Sequence, residues 1–81
     1  MRKLTQRQLE VLQAIGEFWA EHHYSPSIRD LQKALQIGST NGVTDHLYAL
    51  ERKGMLTRAP GRSRSIVLTT KGSRELSEVG G

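Results

Sequence analysis

The sequence has no cysteine, few aromatic residues and no long hydrophobic run. Without thiols, neither a disulfide nor a thiolate metal site can stabilise a chain of 81 residues. No apolar stretch approaches the roughly 20 residues of a membrane span, and the N-terminus does not resemble a secretory signal. These absences exclude disulfide scaffolds and membrane proteins, and we expect one soluble domain located in the cytoplasm.

A pattern that would support catalysis or metal binding is also missing. His22 and His23 are adjacent, but no third ligand stands at a suitable spacing, so we interpret them as a pair at a helix end. The acidic residues fall on predicted exposed helix faces, and so short a chain does not enclose a reaction pocket. We therefore predict a protein that is not an enzyme and that binds no cofactor or metal.

Charge is distributed unevenly along the chain. The segment from Arg52 to Arg74 holds seven basic residues and no acid, whereas the remainder holds five basic residues and eight acids. A charge run is commonly only a solvated surface, but a basic segment beside an acidic remainder polarises the molecule. Polarised basic surfaces attract polyanions. The segment contains no aromatic residue on which single-stranded bases could stack, which favours a double-stranded nucleic acid.

Hydrophobic periodicity predicts three helices, of which the first is the longest. It begins after Thr5, which forms a capping-box pattern with Gln8. It ends at Tyr24-Ser25-Pro26, because the residue before proline is displaced from helical geometry. The apolar stripe of this helix places Phe18 and Trp19 in the core.

The second and third helices are predicted from their caps. The second starts at Ser27, and the third is capped by Ser39 or Thr40. We expect the turn between them to be built around Gly38. The third helix is predicted to end at Gly54, where a left-handed residue suits the C-terminus of a helix.

The pattern then changes to that of a β-hairpin. Residues 55–58 and 65–69 read as two short strands, and Pro60-Gly61 is a turn signal between them. The fold class is therefore α+β, with three helices followed by a two-stranded hairpin, in a domain of residues 1–69. Residues 70–81 are expected to form a flexible tail or linker with at most one short helical turn, because Gly72 and the terminal glycines favour fraying.

Helix, tight turn, helix and basic hairpin, in this order, are typical of a winged helix-turn-helix that binds double-stranded DNA. The second helix of such a motif fills the major groove, where asparagine can pair with adenine and aspartate can accept from the amine of cytosine. Gly42 would remove bulk at the closest approach to the bases. The candidates for base reading are Ser39, Asn41, Gly42, Thr44 and Asp45.

A second set of residues is expected to contact the DNA backbone. The arginines of the hairpin would project from a narrow β-ribbon, from which they could reach phosphates or the minor groove. The candidates for backbone contact are Thr40, Arg52, Lys53, Arg58, Arg62 and Arg64.

The opening segment, Leu4-Thr5-Gln6-Arg7-Gln8-Leu9-Glu10-Val11, resembles that of the LexA repressor family, which typically runs Leu-Thr-x-Arg-Gln-x-Glu-Val. The resemblance implies a winged helix-turn-helix that represses genes of the DNA-damage (SOS) response by binding a palindromic operator as a homodimer. It gives the base-reading positions to the candidates named above, and places Lys53 and Arg64 near the backbone. Further matches lie in register at Pro26, Leu35, Ser39, Asn41, His46, Leu47, Ala49, Leu50, Arg52, Lys53, Gly54, Arg64, Ile66 and Leu68.

The chain departs from the family in two respects. Many members carry alanine where this chain has Gly42, and glutamate at the positions of Thr44 and Asp45, so the operator need not be the familiar one. Full-length members also continue into a self-cleaving Ser/Lys peptidase domain that dimerises them. We expect either the DNA-binding domain of such a repressor or a stand-alone small regulator with a different operator.

Two further interpretations stay open at this stage. A winged helix can serve protein–protein contact, but its third helix would then present an apolar outer face, whereas Ser39, Asn41, Thr44 and Asp45 are polar. A non-specific architectural DNA binder would depend on the basic hairpin alone.

Overall fold

Four helices and one antiparallel hairpin make up the fold in a computed structural model, which describes residues 4–59 and 61–80. In this part of the chain, every helix is too short or too polar to cross a membrane. The two strands pair with Leu56 opposite Leu68 and Thr57 opposite Val67, and we call residues 56–68 the wing. The elements are α1 (Gln6–His22), α2 (Ile28–Leu35), α3 (Thr40–Arg52), β1 (Leu56–Thr57), β2 (Val67–Leu68) and α4 (Thr70–Gly80).

The helix starts follow the predicted caps. The Thr5 hydroxyl accepts from the backbone N–H of Gln8 at 3.1 Å, and the Gln8 side chain accepts from the Thr5 N–H at 3.2 Å. Ser27 and Asp30 form the same reciprocal pair at the start of α2. Ser39 caps α3, which decides between the two predicted residues. Each such cap contributes about 1 kcal/mol to helix stability.

The turn between α2 and α3 differs from the prediction. Gln36, and not Gly38, adopts the left-handed conformation, with φ of 55°, and its N–H closes α2 on the Lys33 carbonyl. Gly38 lies in the bend that follows, where a Cβ would meet nothing within 4 Å. A left-handed non-glycine residue costs roughly 1–2 kcal/mol.

The core lies where α1, α2 and α3 meet the wing. Trp19 packs against it and donates its indole N–H to the Ile66 carbonyl at 2.9 Å. The prediction that Phe18 belongs to the core is wrong, because its ring packs instead on those of His22 and Tyr24 at the end of α1. The buried core residues are Val11, Leu12, Ile15, Leu31, Val43, Leu47, Leu50, Met55, Leu56 and Ile66.

The helix count of three is wrong, because residues 70–80 form a fourth helix, α4. The Thr69 hydroxyl accepts from the Gly72 N–H at 3.1 Å at its start. Gly72 is buried against the Met55 carbonyl, and Leu76 lies against Gly16 of α1. Gly72 therefore permits a close backbone contact, and this packing overrides its low helix propensity. Gly81 lies outside the described residues.

The wing is shorter in strand structure than predicted. Two residues on each side form the ladder, and the loop between them folds back on the Ser65 hydroxyl, which accepts from the Ala59 N–H at 3.0 Å. Gly61 has a φ of 75°, a conformation that glycine adopts without strain. The other half of the predicted turn signal, Pro60, lies outside the described residues.

Candidate nucleic-acid interface

The outer face of α3 carries an exposed polar stripe. Its inner face is buried in the core, as its periodicity predicts. Tyr48, with 59% of its surface exposed, lies on the outer stripe, as the periodicity of the helix predicts, but it is not among the predicted site residues. At intervals of three or four residues, the exposed positions are Asn41, Asp45, Tyr48 and Arg52.

Two predicted base-reading residues are less exposed than those of the stripe. The Thr44 hydroxyl donates to the Thr40 carbonyl within α3 at 2.9 Å, and Thr44 is half-buried. A Cβ on Gly42 would come within 2.9 Å of the Ile37 side chain. The absence of a side chain at Gly42 therefore also serves the packing of the turn before α3.

The N-terminal end of α3 suits an anion. Its first turn contains no acidic residue. The backbone N–H groups of a first turn and the helix dipole both favour phosphate. Ser39 and Thr40 are exposed there, with the Ser39 hydroxyl accepting from the Gly42 N–H at 3.3 Å.

At the other end of α3, the two basic residues differ. Arg52 is exposed at the last position of the helix. Lys53 is half-buried, and its ammonium donates to the Gln8 side chain at 2.8 Å, which ties α3 to α1. Lys53 therefore has a structural contact in addition to the DNA contact expected of it.

The three wing arginines differ in their protein partners. The Arg58 guanidinium lies 3.3 Å from the Glu51 carboxylate, and that of Arg64 lies 3.0 Å from Asp30. Arg62 is exposed, and within residues 4–59 and 61–80 its guanidinium makes no hydrogen bond or ion pair. Arg58 and Arg64 each lie beside a helix that carries an acid, so both have a protein partner in addition to the DNA contact expected of them.

A cleft of about 280 Å³ separates the first turn of α2 from the wing. Arg29, which sequence reasoning missed, lines it together with the three wing arginines. Arg29 lies outside the basic segment, so only the fold brings it to this surface. Asp30 is also at this end of α2, and the Ser27 backbone N–H, with a smaller contribution from Arg64, holds the pKa of its carboxyl below the usual range. Asp30 is therefore charged at neutral pH.

The fold and this surface define the class of the protein: it is a winged helix-turn-helix. A family model described as the LexA DNA binding domain matches residues 1–65. The chain belongs to that family, as its opening segment and the later matches in register indicated.

Curated relatives are similar along the whole chain. The LexA repressor of Anaeromyxobacter sp. (strain K) is 51% identical over 81 residues, which are 100% of this chain and 35% of that protein. The LexA repressor of Geobacter metallireducens is 46% identical over 77 residues, 95% of this chain and 38% of its own. The chain thus spans little more than a third of the length of these relatives.

Solved structures support the same fold. The crystal structure of MepR, a transcription regulator of the Staphylococcus aureus multidrug efflux pump MepA, matches with a TM-score of 0.76 and 29% identity, over 96% of this chain and 56% of MepR. The structure of a MepR A103V mutant matches with a TM-score of 0.71 and 33% identity, over 94% and 54%. Both comparisons extend beyond the wing, since at most 6% of the chain is left uncovered and the residues after the wing are 13 of the 81.

Proposed function

We propose that this chain binds double-stranded DNA in a sequence-specific manner, as the reading head of a transcriptional repressor of the SOS type. In this proposal, α3 enters the major groove and the wing contacts the backbone of a palindromic operator. The observation that carries it is the exposed polar stripe of α3 in a chain of the LexA DNA-binding domain family. The name shared by the curated relatives supports the role in repression.

The dimensions and chemistry of α3 suit the groove. A helix is about 10–12 Å wide with its side chains, and the major groove of B-DNA is about 12 Å wide. Asn41 and Asp45 lie one turn apart on the exposed face, so both can reach neighbouring base pairs. The exposed large hydrophobic residues of the described chain, Tyr24, Tyr48 and Val67, lie on three different elements or loops, which disfavours a protein-docking face.

Asn41→Ala is expected to weaken binding to the preferred operator by about 1–3 kcal/mol. The amide of asparagine donates to one group and accepts from another on a single adenine, and alanine does neither. Binding to random duplex should change much less, because that contact is not made there. Titration of both duplexes with wild type and variant measures the ratio of the two affinities.

Stability measurements separate an effect of this variant on base recognition from an effect on folding. Since the Ser39 hydroxyl caps α3 and Asn41 is exposed, Asn41→Ala should change the free energy of unfolding by no more than about 0.5 kcal/mol. Ser39→Ala is the matched control and should cost about 1 kcal/mol of stability. A lower melting temperature for Asn41→Ala together with an unchanged affinity ratio would contradict sequence reading by α3.

Arg62→Ala is expected to weaken binding to every duplex and to reduce the slope of log affinity against log salt by roughly one unit. Among the described residues, the Arg62 guanidinium has no protein partner, unlike those of the other two wing arginines. It is therefore available to a phosphate. Arg62→Lys keeps the charge and should keep the slope. A constant slope with a loss confined to the preferred operator would mean that Arg62 reads bases.

A further inference from the structure

The side chain of Arg64 joins the wing to the helix-turn-helix. Its guanidinium lies 3.0 Å from the Asp30 carboxylate of α2 and donates to the Ser25 carbonyl at 3.1 Å. It also lies over the Tyr24 ring, 5.0 Å from its centre. One residue of the wing therefore contacts both the segment that leads into α2 and the first turn of α2.

The residues that Arg64 contacts are themselves fixed by hydrogen bonds. Asp30 accepts from the Ser27 N–H at 3.0 Å, so its carboxylate both caps α2 and pairs with Arg64. Ser25 is buried, and its hydroxyl accepts from the Ile66 N–H at 2.9 Å. Two consecutive contacts, at residues 64 and 66, thus attach the base of the wing to residues 25–30.

The backbone at Arg64 lies in a region that residues with a side chain rarely adopt. Arg64 adopts a left-handed conformation, with φ of 54°, between the exposed loop and β2. That conformation is unfavourable for a residue with a side chain and persists only where surrounding contacts hold it. The contacts to Asp30, Ser25 and Tyr24 supply that constraint.

We propose that Arg64, with Asp30, is a positioning residue for DNA binding and does not itself contact phosphate. The pair fixes the wing against the first turn of α2, and α2 packs against α3, so Arg62 and the reading face of α3 meet one DNA duplex in a fixed relative placement. This inference rests on the proposed function and assigns a different role to a residue that sequence reasoning placed on the DNA.

Asp30→Asn separates the two roles of Arg64. The amide oxygen of asparagine still accepts from the Ser27 N–H, but the ion pair with Arg64 is lost. Removing an acid from a DNA-binding face should by itself leave affinity unchanged or raise it. If the pair positions the wing, Asp30→Asn instead lowers affinity by roughly three-fold, as expected for loss of a partly exposed ion pair. Glu17→Gln, which removes an exposed acid from α1, is the matched control and should not lower affinity.

Double variants test whether Asp30 acts through the wing. Arg64→Ala combined with Asp30→Asn should bind about as tightly as Arg64→Ala alone, because both changes break one contact. In an Arg62→Ala background, Asp30→Asn should lower affinity little further. The wing then has no Arg62 side chain whose placement on the DNA could be disturbed. Additive losses in both combinations would overturn the proposal.

The experiment is a titration of a palindromic duplex and a random duplex with each variant, at a temperature at which melting curves show every variant to be folded. Lower affinity of Asp30→Asn on the palindrome supports the proposal. Unchanged or higher affinity of Asp30→Asn, with a loss for Arg64→Ala, would assign Arg64 to a phosphate. A lower melting temperature without any change in affinity would reduce the pair to a purely structural role and also overturn it. Equal binding of wild type to both duplexes would instead contradict the proposed function, and the comparison of Asp30→Asn with wild type would still decide the role of Arg64.

Discussion

Gly72→Ala is expected to destabilise the fold by about 3 kcal/mol, at the upper end of the cost of an overpacked core. A Cβ at this position would overlap the carbonyl oxygen of Met55. That oxygen belongs to the backbone and accepts from the Thr69 N–H at 3.0 Å, so it cannot move away without weakening the hydrogen bond that holds the residue before α4. The gain of about 1 kcal/mol from replacing a helical glycine by alanine is too small to offset this clash.

Thermal unfolding followed by circular dichroism measures the effect, and a cost of this size corresponds to a fall in Tm of roughly 15 °C for a domain of this length. Gly38→Ala is the matched control, because a Cβ there meets nothing within 4 Å. It should leave Tm nearly unchanged. A small loss of helicity in Gly72→Ala with an unchanged Tm would show that α4 detaches without consequence for the core, contrary to its close contact with Met55.

The parts of the fold that could be predicted from sequence are those set by neighbouring residues. The capping boxes at Thr5 and Ser27 depend on residues three positions apart, and the buried face of α3 depends on its helical period. α4 could not be predicted in this way. Its first turn contains Gly72, which disfavours a helix, and its packing depends on Met55 and Gly16, which are distant in sequence.

The same distinction applies to the candidate site. The exposed stripe of α3 follows from periodicity, so Asn41 and Asp45 could be placed on the surface from sequence. The contact of Arg64 with Asp30 could not, because Asp30 lies in another element, 34 residues earlier in the chain, and Arg64 has a left-handed backbone conformation that the local sequence does not predict. A charge count along the chain treats Arg62 and Arg64 alike, whereas in the fold Arg64 has an acidic partner, Asp30, and the Arg62 guanidinium has none among the described residues.

Two copies of the chain joined by a flexible linker are expected to bind a palindromic operator about 10²–10⁴ times more tightly than a single copy binds one half-site. The first copy to bind holds the second at a high effective concentration, so no new protein contact is needed. The principal extents of the domain are 31 × 24 × 22 Å. Half-sites one helical turn apart are separated by about 34–36 Å, so two domains fit side by side on one face of the duplex.

The position of α4 decides where the linker must begin. Because Gly72 and Leu76 pack against the rest of the fold, a junction at residue 69 would remove part of the domain, whereas a junction after residue 80 preserves it. About 40 flexible residues give a root-mean-square length of roughly 35 Å, which matches the spacing of the half-sites.

Titrations of the tandem protein against the palindrome, and against a duplex with one half-site randomised, measure the gain in affinity. On the second duplex, affinity should return close to that of a single copy. Equal affinity of the single chain and the tandem for the palindrome, or a stable dimer of the single chain at low micromolar concentration in ultracentrifugation without DNA, would show that the chain dimerises by itself and would contradict this expectation.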